Sequence, residues 1–169
     1  MIPRGRGWSL RRAIAEDAPS IARFHTACWV DAYRGIVPHA VLDAIDVEAR
    51  TARWRRRLSE GRRTTAVAEL PGTTPRLVGL VTWGSSHDLC EAEPPTLELA
   101  SLYVARDLWG TGLADALVAH AIGDAPAQLW VYAANGRARA YYERRGFLPD
   151  GVEQVDEATG VWECRYARR

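Results

Sequence analysis

The chain contains no lysine: all 22 of its basic residues are arginine. A Walker-A phosphate loop needs its Lys, so that class is excluded. So is any lysine Schiff-base mechanism, a lysine-anchored pyridoxal enzyme included. Methionine occurs only as Met1 and asparagine only at Asn135. Cysteine is scarce and odd in number. Cys28, Cys90 and Cys164 lie far apart without a Cys-x-x-Cys pair, and His25, His39, His87 and His120 are scattered. No zinc-site spacing arises, so no metal is expected, and the cysteines read as incidental thiols of a reducing compartment. No stretch approaches the ~20 apolar residues of a membrane helix. Residues 1–7 lack the apolar core of a signal peptide. The expectation is a soluble cytoplasmic protein with no membrane partner. Excess charge is missing too. The 22 basic residues face 21 acidic ones, leaving +1, too near neutral for a nucleic-acid coat.

What is present is ordinary globular material. The 169 residues suit one domain, and 47% hydrophobic against 25% charged supplies a core. Residues 1–7 read as a loose tail and 8–169 as a single domain. A strand is expected at 8–13. Asp17 before Pro19 marks a helix start, and Ile21, His25, Cys28 and Ala32 repeat at helical spacing until Gly35. Pro38 opens a second helical piece. Asp46 caps a third, with Val47, Thr51, Trp54 and Leu58 on one face and Gly61 at its end. Its other faces carry Arg50, Arg53, Arg55, Arg56 and Arg57, followed by Arg62 and Arg63. They form either a solvated face or a polyanion-binding one.

From residue 64 the period changes. Strands are expected at 64–70, 77–83 and 96–104, with a polar loop at 85–95. An apolar helix at 112–123, a strand at 128–132 and a helix at 136–145 follow. After Pro149-Asp150-Gly151 come two more strands, the last alternating Trp162, Cys164 and Tyr166 with Glu163 and Arg165. The fold class is α/β (α+β), one mixed central β-sheet flanked by helices.

The chemistry concentrates between Leu97 and Phe147. A strand runs into Trp109-Gly110-Thr111-Gly112-Leu113-Ala114, where a helix begins. Small residues there let a backbone approach a ligand, and the first helical amides favour an anion such as a pyrophosphate. A Gly-x-Gly can equally be a tight turn. It is not the dinucleotide fingerprint, because Asp115 stands where the third Gly belongs. The second signal starts at Asn135, with Ala138 three residues on, Tyr142 seven on, and Gly146-Phe147 eleven and twelve on.

These two segments together resemble the GNAT family of acetyl-CoA-dependent N-acetyltransferases. The family's phosphate turn, Gln/Arg-x-x-Gly-x-Gly/Ala, falls on Trp109 to Ala114, with Gly112 and Ala114 matching. Trp109 departs from the family's Gln or Arg, and Arg106 from a common Pro. The resemblance covers about residues 8–166 and implies a GNAT-like fold with acetyl-CoA as cosubstrate. It implies that Leu102, Tyr103 and Val104 pair with the pantetheine arm and that the Val104 amide polarises the thioester carbonyl. The amides of Gly110, Thr111, Gly112, Leu113 and Ala114 would hold the pyrophosphate. Asn135 would bond the pantetheine, with Ala138 beside it. Arg137 or Arg139 would meet a phosphate.

Tyr142 is the candidate general acid, since a phenol near pKa 10 can donate to a leaving thiolate while staying protonated. Glu98 is the candidate general base, directly or through water, unless it is a solvent-facing strand residue. With no cysteine in the motif region, direct transfer in a ternary complex is expected. Trp29, Tyr33, Trp83 and His87 are candidates to line the acceptor cleft, or to be core. The acceptor is expected to be a small primary amine, with a protein N-terminus or lysine as the alternative. A non-catalytic cofactor-binding domain is a third reading. No nucleic-acid partner is expected, and a homodimer is suggested by the resemblance.

Overall fold

The computed structural model describes residues 7–86 and 97–169. The chain runs β1 (Ser9–Arg12), α1 (Ala18–Tyr33), α2 (His39–Asp43), α3 (Val47–Glu60), β2 (Thr64–Leu70), β3 (Arg76–Ser85), β4 (Leu97–Val104), α4 (Leu113–Ala121), β5 (Ala127–Tyr132), α5 (Gly136–Glu143), β6 (Leu148–Asp156) and β7 (Val161–Arg168). This is the expected order, and the strands form one mixed seven-stranded sheet in the order β1-β2-β3-β4-β5-β7-β6. All pairings are antiparallel except β4 with β5.

Local chemistry sets most boundaries. The Asp46 carboxylate accepts from the Glu48 and Ala49 amides at 2.8 and 3.1 Å, and Gly61 ends α3 at φ 64°. Asp17 does not cap α1. Its carboxylate accepts from the Ile14 amide at 2.8 Å and pairs with Arg11 at 2.7 Å, while Arg11 also holds Glu69 at 2.7 Å. One guanidinium thus ties the start of the chain to β2. The inward stripe of α3 also differs from the expected one. Val47 is exposed, and buried Arg50 shares the inner face with Trp54. A stripe counted from Val47 misses this because Arg50's stem can lie along apolar surface. The Pro149-Asp150-Gly151 turn is in fact a bulge inside β6, where the pairing with β7 skips from Pro149 to Glu153.

The sheet is covered on both faces. On one, α4 and α5 close over a core that includes Val78, Val81, Leu99, Leu113, Leu117, Phe147 and Tyr166. On the other, α1 and α3 bury Ile21 and Trp54 against Val67 and Leu80. A third cluster joins Val37 and Leu42 to Tyr132, with Trp29 and Tyr33 packed on it.

Candidate active site

β4 and β5 meet at a single register pair, Glu98 with Gln128. Beyond it they part, because β4 stays with β3 and β5 with β7. The Ala105 amide donates to Val78 on β3 at 2.9 Å. Alternation along an antiparallel strand therefore turns the N–H and C=O of Val104 and Leu102 toward the gap. Backbone polar groups in such a gap call for a partner. A cavity of about 420 Å³ occupies it, walled by Leu99 to Val104, Trp130 to Tyr132, and side chains of α1 and α5.

At one end lies the turn before α4. Gly110 and Gly112 have φ 78° and 85°, a conformation glycine adopts freely. Gly112 stands at the N-cap of α4 and, among the described residues, gives it no side-chain cap. Trp109 and Ala114 line the cavity; the Thr111 hydroxyl donates to the Leu108 carbonyl at 2.7 Å, and Leu113 is fully buried in the core. Gly110 to Leu113 thus offer backbone rather than side chains. The Trp109 indole donates to the Val104 carbonyl at 3.0 Å, and the Arg137 guanidinium stacks 3.5 Å from its ring. Asn135 caps α5 through its Oδ1, which accepts from the Ala138 amide at 3.1 Å, and both residues line the cavity. Of the two candidate phosphate arginines, Arg137 lines the cavity. Arg139 is engaged elsewhere, with the Tyr166 hydroxyl at 2.8 Å and the Ala133 carbonyl at 3.0 Å. Asp115 joins Arg145 and the Tyr141 hydroxyl, locking α4 to α5.

Tyr142 lines the cavity from α5, its ring edge-on to Tyr141 and Phe147. Burial, followed by the neighbouring Tyr33, raises its phenol above the ordinary value. Trp29 and Tyr33 line the opposite wall from one face of α1, as their spacing predicts. The Trp29 indole donates to the Tyr103 hydroxyl at 2.9 Å, and the Tyr33 and Tyr103 hydroxyls lie 3.4 Å apart. Tyr103 thus reaches toward α1, while its backbone belongs to the gap strand.

Gly110 to Leu113 are not in the cavity wall, and of the catalytic and acceptor candidates two more are not brought to it. Trp83 packs edge-on to His120 at 5.9 Å, away from the lining. The Glu98 carboxylate is buried at the closed end of the gap, paired with Arg63 at 3.0 Å, and is not part of the wall. His87 lies outside the described residues. The arginine run is less solvated than expected. Besides Arg63, Arg50 turns in to stack over Trp29 at 5.2 Å and donate to the Thr26 hydroxyl at 3.2 Å.

Wall residues not singled out from sequence include Cys28, Trp130, Tyr132 and Glu163. Alternation in β5 puts Trp130 and Tyr132 on one face, a signal that was available. Cys28 lies outside the motif region in sequence, yet it lines the cavity. Its Sγ sits 3.9 Å from the Val104 carbonyl. Burial, then Asp31, pushes the thiol up to about 12, which makes it a poor nucleophile.

A model described as the acetyltransferase (GNAT) family matches residues 19–147. A probable N-acetyltransferase of Mycobacterium tuberculosis, Rv2775, is 27% identical over 147 residues, covering 84% of this chain and 80% of its own. Among solved structures, the fold is shared with the PaiA N-acetyltransferase of Thermoplasma acidophilum, crystallised with coenzyme A. That likeness has a TM-score of 0.68 at 16% identity and covers 95% and 98% of the two chains. An acetyltransferase of Thermus thermophilus superposes with a TM-score of 0.66 at 22% identity, over 96% and 97%.

Proposed function

The chain belongs to the GNAT family of acetyltransferases, and from that premise we propose that it moves the acetyl group of acetyl-CoA directly onto a primary amine of a small molecule. The observation that carries this reading is the parting of β4 from β5 around a cavity that Tyr142 lines. The residues present fit the cosubstrate. An edge of backbone faces the gap for an extended amide-bearing arm, and an uncapped helix start with two glycines suits a pyrophosphate. Arg137 adds positive charge beside that turn.

When bound, acetyl-CoA supplies an activated acetyl thioester. Val104 would orient it and offer its N–H to the carbonyl oxygen. The amides of Gly110 to Ala114 would hold the phosphates, and Asn135, fixed as a cap, would brace the arm. Tyr142 holds a proton at its phenol oxygen for the departing sulfur, and burial keeps that proton in place. Arg63 holds the Glu98 carboxylate, so Glu98 would act on the amine only at one remove, through water.

The test is calorimetric titration of acetyl-CoA into the protein and into Gly112→Glu. Micromolar affinity is expected for the wild type. The variant, with a carboxylate against the phosphates at a glycine-only φ, should lose at least about 100-fold, the scale of one or two charged hydrogen bonds. A folded wild type that binds no acetyl-CoA overturns the proposal.

A further inference from the structure

The cavity wall carries charges of both signs. Arg137 lies at the end where α4 begins, while Arg144 reaches the lining from the C-terminal end of α5. On the α1 side the wall is aromatic and carries a carboxylate. Tyr132 and Glu163 are register partners on β5 and β7, so their side chains leave the sheet on the same face. That face looks toward α1, because the Tyr132 ring meets Tyr33 edge-on at 5.0 Å, and Tyr33 meets Trp29 at 5.0 Å. Glu163 is held by its register partner on β6: the Gln154 side-chain amide donates to its Oε1 at 2.7 Å. Burial raises the Tyr33 phenol above its ordinary value, the Glu163 charge adds to the rise and Arg137 opposes it. Asp31, the other carboxylate in the described wall, lies 4.0 Å from Arg106, at a stretch shared with a neighbouring cavity.

We infer that the acceptor enters as an organic ammonium ion, its charge on Glu163 and its apolar body on the rings of Tyr33 and Tyr132, and that its nitrogen sheds one proton to solvent before it attacks the thioester. This deepens the acetyl-transfer reading and rests on it. The carboxylate attracts the cation and the π faces of the rings add to it. An acceptor bearing its own carboxylate next to the amine would meet Glu163 as a like charge. Glu163 is therefore a specificity-determining residue for the acceptor, a role that Glu98, paired with Arg63 outside the wall, does not fill.

The test is steady-state acetylation of 2-phenylethylamine, hexylamine and phenylalanine by the wild type, Glu163→Gln and Glu163→Asp, with acetyl-CoA affinity measured on each. The expected order for the wild type is 2-phenylethylamine, then hexylamine, then phenylalanine. Glu163→Gln should raise the KM for 2-phenylethylamine at least about tenfold, with kcat within about threefold and acetyl-CoA affinity unchanged. Glu163→Asp should restore part of the loss. A merely structural role would move acetyl-CoA affinity and kcat as well. An unchanged KM in Glu163→Gln, or phenylalanine equal to 2-phenylethylamine, overturns the inference. Acetyl-CoA binding without turnover of either amine overturns it alone. Failure of the wild type to bind acetyl-CoA overturns the reading beneath it.

Discussion

The Tyr142 ring packs edge-on to both Tyr141 and Phe147 at the cavity wall. Burial disfavours the phenolate, so its pKa lies above the ordinary value of 10. An acid must hold its proton until the sulfur leaves, and a raised pKa keeps Tyr142 protonated even in alkaline buffer. Two results are expected. Tyr142→Phe retains the ring contacts and loses the proton, so kcat should fall about 10²–10⁴-fold with little change in acetyl-CoA affinity. In the wild type, kcat/KM should climb as the acceptor amine loses its own proton and should not fall again by pH 10. A descending limb with an apparent pKa below 10 would remove Tyr142 from this role. Cys28, although it lines the same wall, stays a thiol at any working pH because burial pushes it to about 12.

At the scale of elements, the site depends on how closely α4 lies on the sheet. A Cβ on Gly79 would stand 2.9 Å from Leu117 Cδ1, 3.0 Å from Ala68 Cβ and 3.4 Å from Leu113 Cδ2. Both leucines belong to α4, so a side chain here lifts the helix whose first turn is proposed to hold the phosphates. Gly79→Ala should cost about 1–3 kcal/mol in urea unfolding and also weaken acetyl-CoA binding. Gly110→Ala meets nothing within 4 Å and bears only its φ of 78°, so it should cost about 1–2 kcal/mol. Equal acetyl-CoA affinity in Gly79→Ala and the wild type would show that the turn does not depend on this packing. Most of these elements were legible in the sequence. Asp46 and Gly61 bound α3 by local hydrogen bonding, and the seven-residue step from Asn135 to Tyr142 is a helical repeat from cap to cavity. The parting of β4 and β5 was not legible from periodicity, because it arises from which neighbour each strand prefers. Glu98 and Glu163 show the consequence. Both looked like strand carboxylates, and only the sheet order sends one to Arg63 and the other to the cavity.

At the scale of the molecule, one buried histidine couples the layers to pH. His25 on α1 accepts from the Trp54 indole of α3 at 3.3 Å and packs edge-on to Trp29 and Trp54 and tilted against Tyr103. Burial, followed by Arg50, Arg57 and Arg53, lowers its pKa from 6.5 to about 3. The folded protein therefore keeps His25 neutral while the unfolded chain takes up a proton below about pH 6.5. Its contribution to stability is complete above that value and is lost as pH falls toward 3, at about 1.4 kcal/mol per unit. Between pH 7 and 5 this amounts to roughly 2 kcal/mol, a sizeable part of the ~5–15 kcal/mol that holds a domain together. Arg11 keeps the Asp17 carboxyl below its ordinary value of 3.8. Its contribution is present above that ordinary value and lost only in stronger acid, so the pH 5–7 window separates His25 from Asp17. His25→Gln retains a side-chain oxygen to accept from Trp54 and does not titrate. Urea unfolding at pH 7 and pH 5 should show the wild type losing about 2 kcal/mol more than His25→Gln. Equal losses in the two proteins would mean that other groups carry the acid sensitivity. Because Trp29 and Tyr103 also line the cavity, acid that protonates His25 removes support from that wall together with support from the core.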